Sequence, residues 1–366
     1  IVLLRNDGDV LPLARTAGIA LIGALADDAS STIGSWRARG DMEESVTLRA
    51  ALAPLGVTYA PGGSPRDPDT SGIAAAVDAA RAADVVVLAI GEDFDHSAEA
   101  RSRSDITLPG SQNALIDAIR ATNKPIVAVL MNGRPLALET ALHGIPAVLE
   151  TWFLGNESGT AIADILFGAV SPAGRLPMGM PRTTGQLPQF YAHAPTGRPA
   201  NADLAVDSAR YHDVDIGPLF PFGHGLSYAR FIYSDLAVTP DRAGPDVTVR
   251  VSVSVANSGS VAGDEVVQLY IRAPVAGLAR PVQELRGFHR IALTPGDKKR
   301  LTFDLPAGTG AVWDDGGFTT HAGPVEVMVG ASSDDIRVRG RFIVGQASTN
   351  PDPIAPSARA TRVTVA

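Results

Sequence analysis

The first 235 residues alternate between short, continuous apolar runs and segments whose apolar positions have helical spacing. The apolar runs are Ile19–Gly23, Val85–Ile90, Pro125–Met131 and Ala147–Trp152. The helical segments are residues 72–83, 111–121 and 157–166. Continuous apolar strands that alternate with helices are typical of a parallel sheet covered on both faces. The pattern therefore predicts an α/β domain with a mostly parallel sheet for residues 1–235.

From about Asp246 the pattern changes to strict alternation of apolar and polar residues. Val247–Ala256 alternates over its whole length, which is the signature of a half-buried strand. Shorter runs of the same kind follow, with turn signals such as Pro295-Gly296 between them. Short strands at this spacing predict an antiparallel β-sandwich over residues 236–345.

Two segments have neither pattern. Residues 171–230, assigned to the first domain, are irregular and rich in proline, glycine and histidine. An ordered irregular segment of this length usually serves a function or an interface. Residues 346–366 are polar and proline-rich, and they predict a loose C-terminal tail.

The composition of the chain excludes several classes of function. The chain has 366 residues, enough for two domains, and its 31 basic and 39 acidic residues give a net charge of −8. No basic stripe is available to neutralise phosphates, so we expect no nucleic-acid partner. No apolar run reaches the roughly eighteen residues that a membrane helix needs, so we expect no membrane association. The chain has no cysteine, which excludes disulfides and thiolate chemistry and suits a periplasmic as well as a cytoplasmic protein.

Polar and charged residues are concentrated between Ile90 and Pro109, directly after the second apolar run. In parallel sheets, ligands gather at the carboxyl ends of the strands, which is where this loop lies. Glu99 in this loop is either a solvated surface glutamate or a general acid/base. In the second role its carboxyl group protonates a leaving oxygen and later activates water. Arg103 and His96 would help to set its pKa and orientation.

Glu92 is the second candidate for the acid/base. It follows Gly91 directly at the strand end, which leaves its side chain little room to move. We favour a structural carboxylate that accepts hydrogen bonds from backbone amides of the turn. Glu99 is therefore the first choice.

Trp36 lies in the polar, glycine-flanked stretch Gly34–Asp41. A tryptophan in such a loop either stacks on the apolar C–H face of a sugar ring or anchors the packing between domains. His193, His212 and His224 lack metal-ligand spacing and have no cysteine or acidic cluster beside them, so we expect no metal site.

Five motifs occur in order along the chain. They are Ile1–Leu13, Ile22–Asp27 with Gly34-Ser-Trp36, Lys124–Pro135, Ser171–Pro177 and Pro221–Tyr228. Together they resemble the C-terminal part of glycoside hydrolase family 3, the β-glucosidase and β-xylosidase family, over nearly the whole chain to about residue 345. The resemblance implies an α/β sandwich domain followed by a fibronectin type III-like domain.

The resemblance also implies a retaining mechanism with two carboxylates. The family's nucleophile is an aspartate in an N-terminal (β/α)₈ barrel, and its acid/base is a glutamate on a loop of the second domain. The position here that matches the acid/base is Glu99. Trp36 would line the site for the leaving group, with Arg103 and His96 as further substrate-binding candidates. No cofactor is needed, because the two carboxyl groups supply the chemistry.

The barrel has no counterpart in these 366 residues, because a barrel needs about 250 residues and the first strand here already resembles the second domain. The chain also opens at Ile1, without methionine and as if within a strand, so we expect it to be part of a longer protein. Two carboxyl groups about 5–5.5 Å apart are needed for retention, and Glu99 supplies only one.

The sequence thus predicts part of an exo-acting β-glycosidase, with a β-glucosidase favoured. It would act on terminal β-linked glucose of oligosaccharides or glucosides and be inactive without a barrel in the same or a separate chain. The alternative is a non-catalytic carbohydrate-binding or scaffold protein built on the same two domains. A periplasmic or secreted location is favoured, a cytoplasmic one is not excluded, and a homodimer is left open.

Overall fold

The computed structural model describes residues 1–203, 205–275, 277–314, 317–350 and 361–366. The chain forms two compact units. The first comprises Ile1–Gly174, Met180–Pro188 and Pro218–Phe220, and the second comprises Arg175–Gly179, Gln189–Gly217 and Pro221–Ala366.

The first unit is built on a six-stranded sheet with the order β1-β6-β5-β4-β2-β3. Its strands are β1 (Val2–Asn6), β2 (Ile19–Ile22), β3 (Thr58–Ala60), β4 (Val85–Gly91), β5 (Ile126–Met131) and β6 (Ala147–Glu150). All neighbouring pairs are parallel except β1 and β6. Every residue of β2, β4, β5 and β6 is buried, which explains why their sequences are continuously apolar. The predicted α/β domain with a mostly parallel sheet is confirmed.

Helices cover this sheet on both faces. They are α1 (Ala29–Thr32), α2 (Leu48–Leu52), α3 (Ile73–Ala82), α4 (Gln112–Arg120) and α5 (Ser158–Leu166). Helix α2 packs against α5, and α3 packs against α4. The connections from β2 to β3 and from β3 to β4 step in opposite directions along the sheet. Right-handed crossovers therefore place α2 and α3 on opposite faces.

The second unit is an antiparallel β-sandwich, as predicted. Its strands are β7 (Phe231–Thr239), β8 (Arg242–Ala243), β9 (Thr248–Asn257), β10 (Gly263–Arg272), β11 (Glu284–Leu293), β12 (Lys298–Pro306), β13 (Val312–Asp314), β14 (Gly317–Thr320), β15 (Gly323–Gly330), β16 (Ile336–Val344), β17 (Ser348–Asn350) and β18 (Arg362–Val365). They form sheets of order β11-β10-β15-β16-β8 and β18-β12-β9-β7, with a small third sheet β13-β14-β17. The alternate valines of β9 lie in one core with side chains of β10, β12 and β15, which explains the period of two in its sequence.

Two sequence predictions differ from the structure. Residues 346–366 are not uniformly loose, because β17 pairs with β14 and β18 pairs with β12. The alternation in Arg362–Val365 lets Val363 pack against the sandwich core. Residues 351–360 of the predicted tail lie outside the described residues.

The second difference concerns the irregular segment 171–230: the sequence predicts it within the first domain, whereas its contacts divide it between the two compact units. Most of it belongs to the second compact unit. Backbone hydrogen bonds join Leu176 N to His224 O at 2.9 Å and Gly223 N to Leu176 O at 2.8 Å. An ion pair of 2.6 Å also joins Arg175 to Glu265. A segment without periodicity carries no sequence signal for such long-range partners.

Candidate functional site

The first unit has a topological switch point at the carboxyl ends of β2 and β4. These strands are neighbours, but the chain leaves β2 toward β3 on one side and later returns to β4 on the other. The connections therefore diverge and leave a crevice, which is where open α/β sheets bind ligands. The loop after β2 carries Trp36, and the loop after β4 carries Glu99.

A cleft of about 610 Å³ lies in this crevice. It is lined by Ile33, Gly34, Ser35, Trp36, Ser97, Ala98, Glu99, Gly133 and Phe153. The lining residues follow four strands, β2, β4, β5 and β6. The structure thus brings together Glu99 and Trp36, which the sequence singled out separately.

Glu99 lies in a tight turn. Arg101 N donates a hydrogen bond to Ala98 O at 3.1 Å, and Ala100 has a φ of 59°. A positive φ at the third position is characteristic of a type II turn. Glu99 therefore occupies the second position of this turn, and its side chain is exposed at the cleft.

Two aromatic side chains line the same cleft. Trp36 is 75% exposed, and Phe153 follows the end of β6. The Ser35 hydroxyl lies 2.7 Å from Phe94 O and 3.0 Å from Ser97 O, so it ties the tryptophan loop to the glutamate loop. Phe153 was not among the predicted site residues, although it follows an apolar strand just as Glu92 does.

Glu92 is fully buried, and both of its carboxylate oxygens are engaged. Oε1 lies 2.6 Å from Arg103 Nη1, and Oε2 lies 3.0 Å from Arg134 Nε. Glu92 does not line the cleft. The geometry favours the structural interpretation of this residue, but its side-chain partners are two guanidinium groups and not the expected backbone amides.

Arg103 and His96 lie within the loop and not on the cleft lining. Arg103 binds Glu92 and donates from Nη2 to Thr107 O at 3.0 Å. His96 Nδ1 lies 2.7 Å from Oδ1 of the buried Asp93. Arg66 Nε is 2.6 Å from Oδ2 of the same carboxylate. Both predicted substrate-binding residues thus make contacts that hold the loop together.

The sequence analysis did not identify Arg134. Its Nη2 donates to Arg101 O at 2.7 Å and also to His96 O, and its Nε binds Glu92. Arg134 lies in the stretch Asn-Gly-Arg-Pro after β5. That stretch was recognised as a motif, but nothing in its spacing indicates which loop the arginine reaches.

Glu150, at the end of β6, is a fully buried carboxyl group. Burial raises its pKa to about 8, although hydrogen bonds from Trp152 N and the Asn132 side chain act in the opposite direction. Trp152 N donates to Oε1 at 3.0 Å, and Asn132 Nδ2 donates to Oε2 at 3.1 Å. Glu150 therefore links the ends of β5 and β6, from which Gly133 and Phe153 extend.

Within the described part of the chain, no three histidine, aspartate or glutamate side chains cluster as a metal ion would require. A search of the same residues finds no helix with the length and hydropathy needed to span a membrane.

Comparison with known proteins identifies the family. Residues 1–228 match the glycosyl hydrolase family 3 C-terminal domain, and residues 265–333 match the fibronectin type III-like domain. The chain therefore belongs to glycosyl hydrolase family 3, as the five motifs predicted. The first match extends to residue 228 and so includes the irregular segment that the sequence assigns to the first domain, whereas most of that segment packs in the second compact unit.

Individual relatives are glycosidases. The chain is 40% identical to the periplasmic beta-glucosidase of Salmonella typhimurium over 93% of its own length and 48% of the relative's. It is 35% identical to a beta-xylosidase of Formosa agariphila, with coverage of 83% and 43%. The crystal structure of a beta-glucosidase from Listeria innocua in complex with isofagomine superposes with a TM-score of 0.88 at 34% identity, covering 94% of this chain and 48% of that one. The chain thus spans about half the length of the curated relatives it matches.

Proposed function

We propose that this chain forms half of the active site of a retaining, exo-acting β-glycosidase, with β-glucosidase as the favoured activity. The observation that carries the proposal is the cleft at the switch point, where Glu99 lies with Trp36 and Phe153. An exposed carboxyl group beside aromatic rings suits a sugar whose leaving oxygen must be protonated. Family membership and relatives named beta-glucosidase support this interpretation.

Glu99 acts in this proposal as the general acid and then as the general base. Retention also requires a nucleophilic carboxylate about 5–5.5 Å from it. Glu99 is the only carboxylate among the residues that line the cleft. We propose that a (β/α)₈ barrel, in the same or a separate chain, supplies the nucleophile and most contacts to the terminal sugar. The two-fold greater length of the relatives supports this arrangement.

The test of Glu99 is the dependence of the rate on the leaving group. In the enzyme complete with its barrel, Glu99→Gln should lower kcat/KM on cellobiose about 10²–10⁴-fold, the usual contribution of a general acid. An activated aryl β-glucoside should be affected less, because its leaving group needs little protonation. Glu43→Gln, which alters a glutamate in an exposed turn, is the control. Cellobiose hydrolysis unchanged by Glu99→Gln would refute the assignment.

Trp36 is proposed to stack on the leaving-group sugar. Trp36→Ala should raise KM for cellobiose about 2–12-fold, since an aromatic contact contributes about 0.5–1.5 kcal/mol. KM for a small aryl glucoside should change less, because it lacks the second sugar. Phe190→Ala removes another exposed aromatic side chain, one outside the cleft lining, and serves as the control. An equal effect on both substrates would contradict the stacking role.

The second candidate function is carbohydrate binding without turnover. The observation in its favour is the single carboxylate in the cleft lining. It predicts saturable binding of glucosides and no hydrolysis by the native protein.

We also propose a periplasmic or secreted location. The similarity to a periplasmic beta-glucosidase supports it. Fractionation of the source cells tests this location, and recovery in the cytoplasmic fraction would refute it.

A further inference from the structure

We propose that Arg134 is the positioning residue of the acid/base loop, because its guanidinium holds both flanks of the turn that carries Glu99. The inference rests on the proposed function of Glu99. It concerns a residue that does not line the cleft itself and acts only through the loop.

The contacts of Arg134 bracket the turn. Nη2 donates to His96 O on one side of Glu99 and to Arg101 O, at 2.7 Å, on the other. One planar group therefore fixes the separation of the two ends of a six-residue segment. The guanidinium suits this task because its donors lie in a rigid, planar arrangement that lysine lacks.

The other contacts of Arg134 tie the turn to the sheet. Nε binds Oε2 of Glu92 at 3.0 Å, and Glu92 directly follows β4. Oε1 of Glu92 also binds Arg103 at 2.6 Å, farther along the same loop. The backbone carbonyl of Arg134 accepts a hydrogen bond from Asn132 Nδ2 at 2.8 Å. Charge-assisted hydrogen bonds between buried or half-buried groups are among the strongest available to a protein.

This anchoring matters for proton transfer. A general acid must come within about 2.6–3.2 Å of the oxygen that it protonates, and a misplacement of about 1 Å can reduce the rate about 10²-fold. Besides Arg134, the segment is held by the hydrogen bond from Arg101 N to Ala98 O, by the Ser35 hydroxyl at Ser97 O and, at its start, by the contacts of His96 with Asp93. Of these groups, Arg134 is the one that contacts both ends of the segment. We therefore expect loss of the guanidinium to let Glu99 move relative to the sheet.

The experiment compares Arg134→Ala, Arg134→Lys and Arg120→Ala in the enzyme complete with its barrel. Arg120 is a matched control. It binds Asp117 at 2.9 Å and the carbonyl of Ala141 at 2.9 Å, but it lies at the end of α4, where the chain returns to the start of β5. Arg134→Ala should lower kcat on cellobiose about 10–100-fold and lower kcat on an activated aryl glucoside much less. Arg134→Lys should be intermediate, and added guanidinium ion should restore part of the lost rate.

A double variant separates positioning from a general structural role. If Arg134 acts through Glu99, Glu99→Gln combined with Arg134→Ala should be hardly slower on cellobiose than Glu99→Gln alone, because residues that act as a unit are not additive. Equal losses on both substrates, with a lower Tm and no guanidinium rescue, would assign Arg134 to general stability and overturn the inference. So would wild-type rates in Arg134→Ala.

The outcome for Glu99→Gln distinguishes the two proposals. If Glu99→Gln leaves the rate on cellobiose unchanged, the proposed function fails and the positioning role fails with it. If Glu99→Gln shows the expected leaving-group dependence and Arg134→Ala does not, only the inference about Arg134 fails.

Discussion

At the scale of single residues, the chain places two carboxyl groups in opposite surroundings at the ends of β4 and β6, which lie on either side of β5. Glu92 is buried between two guanidinium groups, whereas Glu150 is equally buried and accepts hydrogen bonds from two neutral groups, Trp152 N and Asn132 Nδ2. Burial raises the pKa of Glu150 by more than these hydrogen bonds and the charge of the Ile1 amino group lower it. Opposite charges stabilise a buried carboxylate, while burial alone favours the protonated acid. Glu150 is accordingly the group whose pKa rises to about 8.

The raised pKa of Glu150 predicts a pH-dependent stability. In the unfolded chain the group titrates near 4.5 and in the folded chain near 8, so the folded state holds the proton more tightly. The stabilisation is fully present below about pH 4.5 and is lost as the pH rises through 8. We expect the Tm to fall between pH 5 and pH 8 and to fall less in Glu150→Gln, which mimics the protonated acid. Each pKa unit corresponds to about 1.4 kcal/mol, so an effect on the order of a few kcal/mol is expected.

Calorimetry of both proteins across this pH range checks the prediction. The control is Glu157→Gln, because Glu157 is an exposed glutamate only a few residues farther along the chain. Parallel pH profiles of the wild type and Glu150→Gln would contradict the assignment of the effect to this residue.

At the scale of elements, the site depends on close contacts between loops that follow different strands. A Cβ atom at Gly133 would come within 2.2 Å of Ser97 Oγ and 2.9 Å of Phe153 Cε2. A larger residue at this position would displace Ser97 or Phe153, so glycine lets the loop after β5 lie close to the loops after β4 and β6. Because Gly133 directly precedes Arg134, this close contact also keeps Arg134 near the loop after β4, which it binds.

The elements also show why the sequence predicted the fold better than the site. The apolar runs and helical spacings of the first unit predicted four of its six strands, because buried parallel strands and amphipathic helices have periodic patterns. The order of the strands has no such pattern, and it is this order that makes β2 and β4 neighbours. Trp36 and Glu99 were therefore candidates individually, while their common cleft and the anchoring role of Arg134 required the tertiary structure.

Short edge elements were missed for a related reason. Strand β18 has four residues and, among the described strands, lies at a sheet edge beside β12. A run of this length gives little periodic signal, and its stability depends on a partner about sixty residues earlier in the chain. The polar, proline-rich residues around β18 therefore led the sequence to predict a loose tail and not a strand.

At the scale of the whole molecule, the proposed mechanism needs two carboxyl groups at the sugar, and the cleft lining contains one, that of Glu99. The cleft provides the carboxyl group of Glu99, the proposed general acid, and two aromatic side chains, but a retaining glycosidase also needs a nucleophile on the opposite side of the sugar. This chain aligns with about half of the length of its relatives. The other half of each relative is long enough for a barrel of about 250 residues. We therefore expect the native protein to contain a second, nucleophile-bearing part.

The denaturing intact mass of the protein purified from its source organism tests this expectation. We expect either a polypeptide well above 37.9 kDa or a co-purifying chain large enough for a barrel, together with hydrolysis of aryl β-glucosides.

A polypeptide restricted to these 366 residues and expressed alone should show no turnover, because Glu99 has no nucleophile to assist. Full glycosidase activity from that polypeptide would contradict the shared active site and require a nucleophile within the chain. A native species of 37.9 kDa that binds glucosides without hydrolysing them would favour the non-catalytic function, because the cleft of the first unit would then bind sugar without the chemistry.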